Sequence, residues 1–193
     1  AEETAEAGQW AQDNGFEIEL LDLNPLQMKA VEFNHTDRCY FCKKHLFLEL
    51  KRRAADLPLC DGTNHSDLSH YRPGLKALSE LKIHSPLAEA EFSKQDNREV
   101  GALIGLDHWD QAARPCMLTR LPYNQKVLAS DLTALGETET AMNRFFAGLN
   151  KGEIRFRLRK VSPETFEMHI QREDFKRLSE EERTEAEHLL ASF

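Results

Sequence analysis

The apolar positions of roughly the first 112 residues switch between helical and extended spacing. Trp10 and Ala11 belong to a helical period that ends at Gly15, a residue suited to the end of a helix. The next segment, FEIELLDL, alternates apolar and polar side chains and predicts a strand. A short buried strand is predicted at LPLC, and further helices are predicted at 37–55, 74–82 and 93–104. Short strands that alternate with helices predict a parallel α/β sheet.

The pattern changes from about Pro122 onwards. A helix predicted at 131–147 precedes two alternating segments, IRFRLRKV and TFEMHIQ, which together predict an antiparallel hairpin. A final polar helix is predicted at 172–192. We therefore expect an α/β domain over residues 1–115 and a small α+β domain over residues 120–193.

Composition narrows the class of protein. The 193 residues are 40% hydrophobic and 30% charged, as in ordinary globular proteins. A net charge of −8 does not favour a nucleic-acid partner, because such proteins usually carry a basic face. No run approaches the roughly 20 apolar residues of a membrane helix, no secretory leader is visible, and four cysteines do not predict a disulfide scaffold. We expect a cytoplasmic protein without a membrane partner.

The clearest local signal for chemistry is Cys39-Tyr-Phe-Cys42. Two thiols three residues apart at the start of a helix can face one metal or cluster, and the helix N-terminus favours the thiolate. A zinc half-site, a redox dithiol and an accidental pair all fit this spacing. Cys60 is expected to be a buried core thiol, whereas Cys116 is expected to be exposed in a turn after Pro115.

Cys39, Cys42 and Cys116 together form the preferred hypothesis for a site. An iron–sulfur cluster normally takes four thiolates. Three would leave one iron open to an external sulfide or substrate, as in catalytic metal sites. Spacing alone does not establish this set.

Two other segments carry polar residues suited to ligand binding. Asp61 and Asn64 follow a predicted strand, which places them at the carboxyl edge of a parallel sheet, although DGTN is equally typical of a turn. Arg155 and Arg157 project from one face of a predicted strand. Such a pair suits phosphate or carboxylate binding, and a solvated strand face fits it equally well.

Five segments resemble, in this order, the LarE-type enzymes: DRCYFCKKHLF, CDGTNHSDLSHYRPGLKAL, SPLAEAEFSK, RPCMLTRLPY and IRFR. These enzymes are ATP-dependent sulfur transferases of the PP-loop ATP pyrophosphatase superfamily. The resemblance extends to about Phe175. It implies a parallel-sheet, adenine nucleotide alpha hydrolase-like PP-loop domain that is N-terminally incomplete. The Ser-Gly-Gly-x-Asp-Ser loop, whose backbone amides cradle the ATP pyrophosphate, would lie before Ala1.

The resemblance also implies a reaction. A carboxylate of a small nucleotide-like substrate is adenylated with ATP and Mg²⁺ and then receives sulfur, in biosynthesis of a nickel-pincer nucleotide cofactor. One branch sacrifices the sulfur of the cysteine that matches Cys116. The branch with an additional CxxC holds a [4Fe-4S] cluster, so the resemblance implies Cys39, Cys42 and Cys116 as ligands and a sulfide donor as a partner. Homo-oligomers are also expected.

Further roles carry over by matching single positions. Arg155 and Arg157 match a basic pair associated with phosphate binding. Glu139 matches a catalytic-site carboxylate, and Asp174 matches an acidic residue of the C-terminal domain.

Arg72 and Arg120 lie in the matching segments and are expected to line the nucleotide or substrate cleft. His70 departs from the family, which usually has an acidic residue there. Two alternatives stay open: a tRNA-thiolating PP-loop enzyme and a non-catalytic module that binds a metal or cluster.

Overall fold

The computed structural model describes residues 2–107, 109–111, 113–162 and 165–193. Within these ranges the chain forms ten helices and two strands, some of the helices being single turns. Their bounds are α1 (Glu2–Asp13), α2 (Lys29–Glu32), α3 (Arg38–Ala54), α4 (His65–Leu68), α5 (Pro73–Leu81), α6 (Pro86–Glu89), α7 (Lys94–Leu103), α8 (Ala129–Gly148), β1 (Phe156–Ser162), β2 (Thr165–Ile170), α9 (Arg172–Arg177) and α10 (Glu180–Leu190). None of the described helices is long and apolar enough to span a bilayer.

The predicted first helix is confirmed, but the strand predicted after it is wrong. Gly15 ends the helical segment with a φ of 71°. FEIELLDL forms no strand, and its alternating apolar side chains are exposed, Phe16 by 60%, Ile18 by 50% and Leu20 by 64%. A strand exists only where a neighbour satisfies its backbone groups. No described strand lies beside this segment, so its backbone groups have no neighbouring strand to pair with.

The CxxC segment lies on α3, which packs against α5. Phe47, Leu78 and Ile83 form the buried cluster between them. The two helices approach closely at Gly74, where a Cβ would lie 3.0 Å from the Lys43 Cδ and 3.6 Å from the Cys39 carbonyl oxygen. A glycine at the start of α5 therefore lets the RPG turn pack directly onto the helix of the two cysteines.

Parallel pairing among the described residues consists of one isolated bridge between Cys60 and His84. The His84 amide donates to the Leu59 carbonyl over 2.9 Å, and the Asp61 amide donates to the His84 carbonyl over 2.8 Å. The predicted parallel PP-loop sheet and the division at residues 115–120 stay predictions. The prediction that Cys60 is buried is wrong, because this single bridge leaves its thiol exposed.

The C-terminal elements match the predicted helix and hairpin. α8 covers the predicted helix, and β1 pairs antiparallel with β2 from Phe156–Ile170 to Ser162–Thr165. Leu158 on β1 is fully buried in a cluster that draws on both halves of the chain. Its other buried members are Val31, Leu118, Leu121, Val127 and Leu135.

The final helix predicted at 172–192 is wrong in one respect, because the structure divides it into α9 and α10. Ser179 starts α10 with a capping box. Its Oγ accepts from the Glu182 amide over 3.2 Å, and the Glu182 carboxylate accepts from the Ser179 amide over 2.6 Å. These capping hydrogen bonds start a new helix after Ser179, so α9 does not continue into α10.

Candidate functional site

Cys39 and Cys42 lie in the first turns of α3, which begins at Arg38. Cys39 is exposed and Cys42 is half-buried. Burial is the largest cause that raises the pKa of Cys42, followed by the negative charges of Cys116 and Cys39, while the Arg38 guanidinium opposes them. The three thiols predicted as one site are therefore close enough for each of the other two to influence Cys42.

Cys116 is exposed and lies in an irregular segment that leads into the 3₁₀ turn Met117–Arg120. Its carbonyl oxygen accepts from the Thr119 Oγ1 over 2.7 Å, and the Arg120 Nη1 donates to the Pro115 carbonyl over 2.8 Å. The Arg120 Nε lies 2.5 Å from the Glu139 Oε1 on α8, with only 11% and 17% of the two side chains exposed. These two predicted site residues therefore hold the Cys116 loop in place.

A second set of contacts reaches the same loop from the α3 side. The Asn34 Nδ2 donates to the carbonyl oxygens of Leu118, Leu121 and Pro122 over 3.2, 3.0 and 2.8 Å. The buried Arg38 places its guanidinium 4.9 Å from the centre of the Tyr123 ring. Neither residue was predicted from the sequence, since contacts between such distant segments leave no local signal.

The three thiols match an iron–sulfur cluster in the chemistry of their donor atoms but do not form a preorganised metal site. Within the described residues, no group of three or more His, Cys, Asp or Glu side chains is arranged to hold a metal ion. The chemistry of the donors fits nevertheless, since thiolates are the ligands of iron–sulfur clusters. Cys39 and Cys42 occupy one helix end, and Cys116 approaches Cys42 from a loop, so two segments supply the three thiols.

Asp61 belongs to a separate network of hydrogen bonds. Its carboxylate accepts from the Lys43 Nζ over 3.0 Å, from the Thr63 Oγ1 over 2.7 Å and from the Ser85 Oγ over 2.7 Å. Burial acts to raise the pKa of Asp61, but the hydrogen bonds from Ser85, Thr63 and Lys43 outweigh it and lower that pKa. In this structure Asp61 ties α3 to the DGTN loop and to the segment before α6.

The DGTN segment forms a turn and a helix cap. The Asn64 Oδ1 accepts from the Asp67 amide over 3.2 Å and so starts α4. The Arg72 Nη2 lies 2.8 Å from the Asp67 Oδ1, with 56% of the arginine side chain exposed. The structure gives Asn64 and Arg72 local structural roles and leaves their predicted ligand roles as predictions.

An open groove of about 1960 Å³ runs along Cys116, α8 and the β1–β2 hairpin. Five of the predicted site residues line it: Cys116, Arg120, Glu139, Arg155 and Arg157. The other predicted site residues do not line it. Among the described residues, seven arginines border the groove, against the overall acidic charge: Arg98, Arg114, Arg120, Arg144, Arg155, Arg157 and Arg159.

Arg155 and Arg157 differ in whether their guanidinium groups already have an ion-pair partner. The Arg155 Nε donates to the Asp174 Oδ2 over 2.8 Å, and the Arg177 Nη1 donates to the Asp174 Oδ1 over 2.9 Å. The hydrogen bond from Arg155 is the largest cause that lowers the pKa of the buried Asp174, to about 2. Among the described residues, Arg157 makes no side-chain hydrogen bond or ion pair, which leaves its guanidinium free for a ligand in the groove.

No known protein-family profile matches the chain. An uncharacterised protein of Synechocystis sp. is 36% identical over 157 residues, which cover 80% of this chain and 58% of that protein. An uncharacterised protein of Methanocaldococcus jannaschii is 31% identical over 140 residues, which cover 71% of this chain and 53% of that protein. The pyridinium-3,5-bisthiocarboxylic acid mononucleotide synthase of Lactiplantibacillus plantarum is 34% identical over 125 residues, covering 63% of this chain and 45% of the enzyme. The chain thus spans about half the length of these relatives and is related in sequence to that synthase.

Proposed function

We propose that this chain is part of an ATP-dependent sulfur transferase that inserts sulfur into a carboxylate of a small nucleotide-like substrate. The product would be a thiocarboxylate in the biosynthesis of a nickel-pincer nucleotide-type cofactor. The Lactiplantibacillus plantarum relative supports this proposal, because its name describes a mononucleotide that carries two thiocarboxylic groups.

One observation in the structure carries the proposal. Cys42 on α3 lies within electrostatic reach of Cys39 on the same helix and of Cys116 in a distant loop. A zinc half-site or a redox dithiol needs only the CxxC pair. The approach of a third thiol from another segment is better explained by a site that uses all three.

The reaction has two balanced steps. A substrate carboxylate oxygen attacks the α-phosphorus of ATP, with Mg²⁺ as the counter-ion, and pyrophosphate leaves. A sulfur nucleophile then attacks the acyl carbon, and AMP leaves with the carboxylate oxygen. Adenylation supplies the leaving group, while holding both reactants in one groove replaces a bimolecular encounter.

The chain's own residues would bind and orient the substrate. We assign Arg157, whose guanidinium has no partner among the described residues, to a substrate phosphate, with Arg155 beside it held by Asp174. Arg120 and Glu139 hold the Cys116 loop at the groove. Cys39, Cys42 and Cys116 would be the ligands of a [4Fe-4S] cluster, which would supply sulfur at an iron that lacks a protein thiolate.

The test is the content of iron and acid-labile sulfide in protein purified without air. We expect about four irons per chain in the wild type. The Cys116→Ala variant should lose most of this iron. The Cys60→Ala variant is the matched control, because Cys60 is also exposed but lies outside the three-thiol set, and it should retain the iron. Zinc in place of iron, or equal iron in both variants, would contradict the proposal.

tRNA thiolation is the second candidate, and the arginine-lined groove is the observation that favours it. RNA binding through phosphates weakens steeply with salt. Titration of a tRNA at two salt concentrations decides between the candidates. The leading proposal expects no tRNA affinity that depends on salt in this way, in agreement with a net charge of −8.

A further inference from the structure

Asn34 lies between the two segments that carry the thiols. It follows α2, stands four residues before Arg38 where α3 begins, and is fully buried, with 0% exposure. Its φ of 49° is left-handed, a conformation that asparagine adopts more readily than most residues. This backbone turns the chain into α3 while the side chain points towards the segment after Cys116.

The Asn34 side chain is held by its amide donors. The Nδ2 reaches three carbonyl oxygens in one turn, 3.2 Å away at Leu118, 3.0 Å at Leu121 and 2.8 Å at Pro122. The Asn34 carbonyl also accepts from the Asn124 amide over 3.2 Å. The Oδ1 is buried and has no hydrogen-bond partner among the described atoms. An unpaired buried acceptor costs free energy, so any stabilisation by the Asn34 side chain comes from the hydrogen bonds that its Nδ2 donates.

We propose that Asn34 is a positioning residue that fixes Cys116 relative to Cys39 and Cys42. Its backbone leads directly into the helix of the CxxC pair, and its side chain holds the turn that follows Cys116. The proposal rests on the proposed function only in that it treats the three thiols as one site. The spacing of Cys39 and Cys42 does not depend on Asn34, because both lie on one helix.

Two substitutions separate the donor contacts from the backbone conformation. Asn34→Asp keeps the shape and the tolerance of positive φ, but it turns an acceptor towards three carbonyl oxygens. Asn34→Gly keeps the positive φ and removes the donors without adding this repulsion. Both should release the turn, and the aspartate should release it further.

The distance between thiols can be read without any activity. Reduced, metal-free protein that carries Cys60→Ser is prepared in two backgrounds. Cys39→Ser leaves Cys42 and Cys116, which lie on either side of the Asn34 contacts. Cys116→Ser leaves Cys39 and Cys42 on α3. The rate at which dibromobimane bridges the two thiols is measured, and the bridge is mapped by mass spectrometry.

We expect Asn34→Asp to slow the bridging of Cys42 to Cys116 about tenfold, since several buried hydrogen bonds are lost. Bridging of Cys39 to Cys42 should change less than about twofold, because helix geometry sets that distance. Asn34→Gly should act in the same direction. Asn124→Asp is the matched control: Asn124 has a φ of 58°, is exposed in the same region and makes no described side-chain hydrogen bond.

Wild-type bridging of Cys42 to Cys116 in both Asn34 variants would overturn the proposal. An equal fall in both thiol pairs would also overturn it, because that result reports general loosening rather than positioning. The outcome is independent of the proposed function. If the chain binds no iron but Asn34→Asp still slows only the pair across the two segments, the cluster-based sulfur transfer fails and the positioning role stands.

Discussion

The two parts of the thiol set are positioned by different physical means. Cys39 and Cys42 depend on the repeat of α3 and on its packing against α5 at Gly74. Cys116 lies in an irregular loop, and polar side chains from two directions hold it: Arg120 with Glu139, and Asn34. Substitutions of polar residues should therefore disturb Cys116, whereas the CxxC pair should respond mainly to changes in packing.

The largest expected effect comes from removing the polar contacts that hold the Cys116 loop. Arg120→Met removes the donor to the Pro115 carbonyl and leaves Glu139 without its partner in a mostly buried position. We expect a loss of about 3 kcal/mol in the free energy of unfolding, measured by urea denaturation. Arg159→Met is the matched control, because Arg159 is an exposed arginine of the same groove without a described ion pair, and it should change stability by less than about 0.5 kcal/mol.

The double variant Arg120→Met/Glu139→Leu sharpens this prediction. It removes both charges, so much of the loss should be recovered. A single variant as stable as the wild type would mean that the ion pair does not hold the loop.

The second-largest effect concerns the packing of α5 against α3, the helix of the CxxC pair. Gly74→Val should destabilise the chain by about 2 kcal/mol, because a Cβ already lies 3.0 Å from the Lys43 Cδ, and the Lys43 Nζ is held by Asp61. Gly136→Val places the same side chain on α8, where a Cβ meets nothing within 4 Å, and should be close to neutral. Thermal unfolding of both variants compares them directly. Equal stability would show that α5 does not pack tightly onto the CxxC helix.

A smaller effect is expected from the hydrogen bonds around Asp61. Ser85→Ala removes the Oγ that donates to the Asp61 Oδ1 over 2.7 Å and should cost about 1 kcal/mol. Ser69→Ala removes an exposed local hydrogen bond to the Ser66 carbonyl and should cost much less. Denaturant midpoints of the two variants give the difference. If both lose the same stability, Asp61 does not connect these segments.

The smallest expected effect concerns the ion pairs of Asp174, and its clearest signature is the dependence of stability on pH in acid. The pKa of Asp174 is lowered from 3.8 to about 2 in the folded chain. Its contribution to stability is therefore complete above about pH 4 and is lost as the pH falls through 2. Arg177→Met removes one donor and raises this pKa, so the loss of stability between pH 4 and 2 should become shallower.

At neutral pH the Arg177→Met change should cost about 0.5 kcal/mol, since the arginine is partly exposed. Lys176→Met is the control, because the Lys176 Nζ pairs with Glu173 and does not donate to Asp174. Stability is followed by denaturation at several values of pH. An unchanged acid slope in Arg177→Met would show that this arginine does not influence Asp174.

Local patterns predicted local structure well. The helix that carries Cys39 and Cys42, the helix α7 and the C-terminal hairpin were all predicted from local periodicity. The division between α9 and α10 also had a local signal, because Glu182 follows Ser179 by three residues, and that signal was overlooked.

Features that depend on distant partners were not predictable from periodicity. FEIELLDL has the pattern of a strand, but a strand also needs a neighbour, which the pattern cannot supply. Arg120 and Glu139 were selected by resemblance, yet their mutual ion pair appears only in the fold. Asn34 was missed entirely, because its partners are carbonyl groups, and every residue type has one.

The Arg120–Glu139 pair also bears on how diverged copies of this protein can be aligned. One guanidinium serves Glu139 and the Pro115 carbonyl together, a geometry that lysine cannot reproduce with its single ammonium. Natural variation should therefore change positions 120 and 139 jointly or leave both alone. Such covariation would fix the register between the Cys116 loop and α8 even where the intervening segment varies in length.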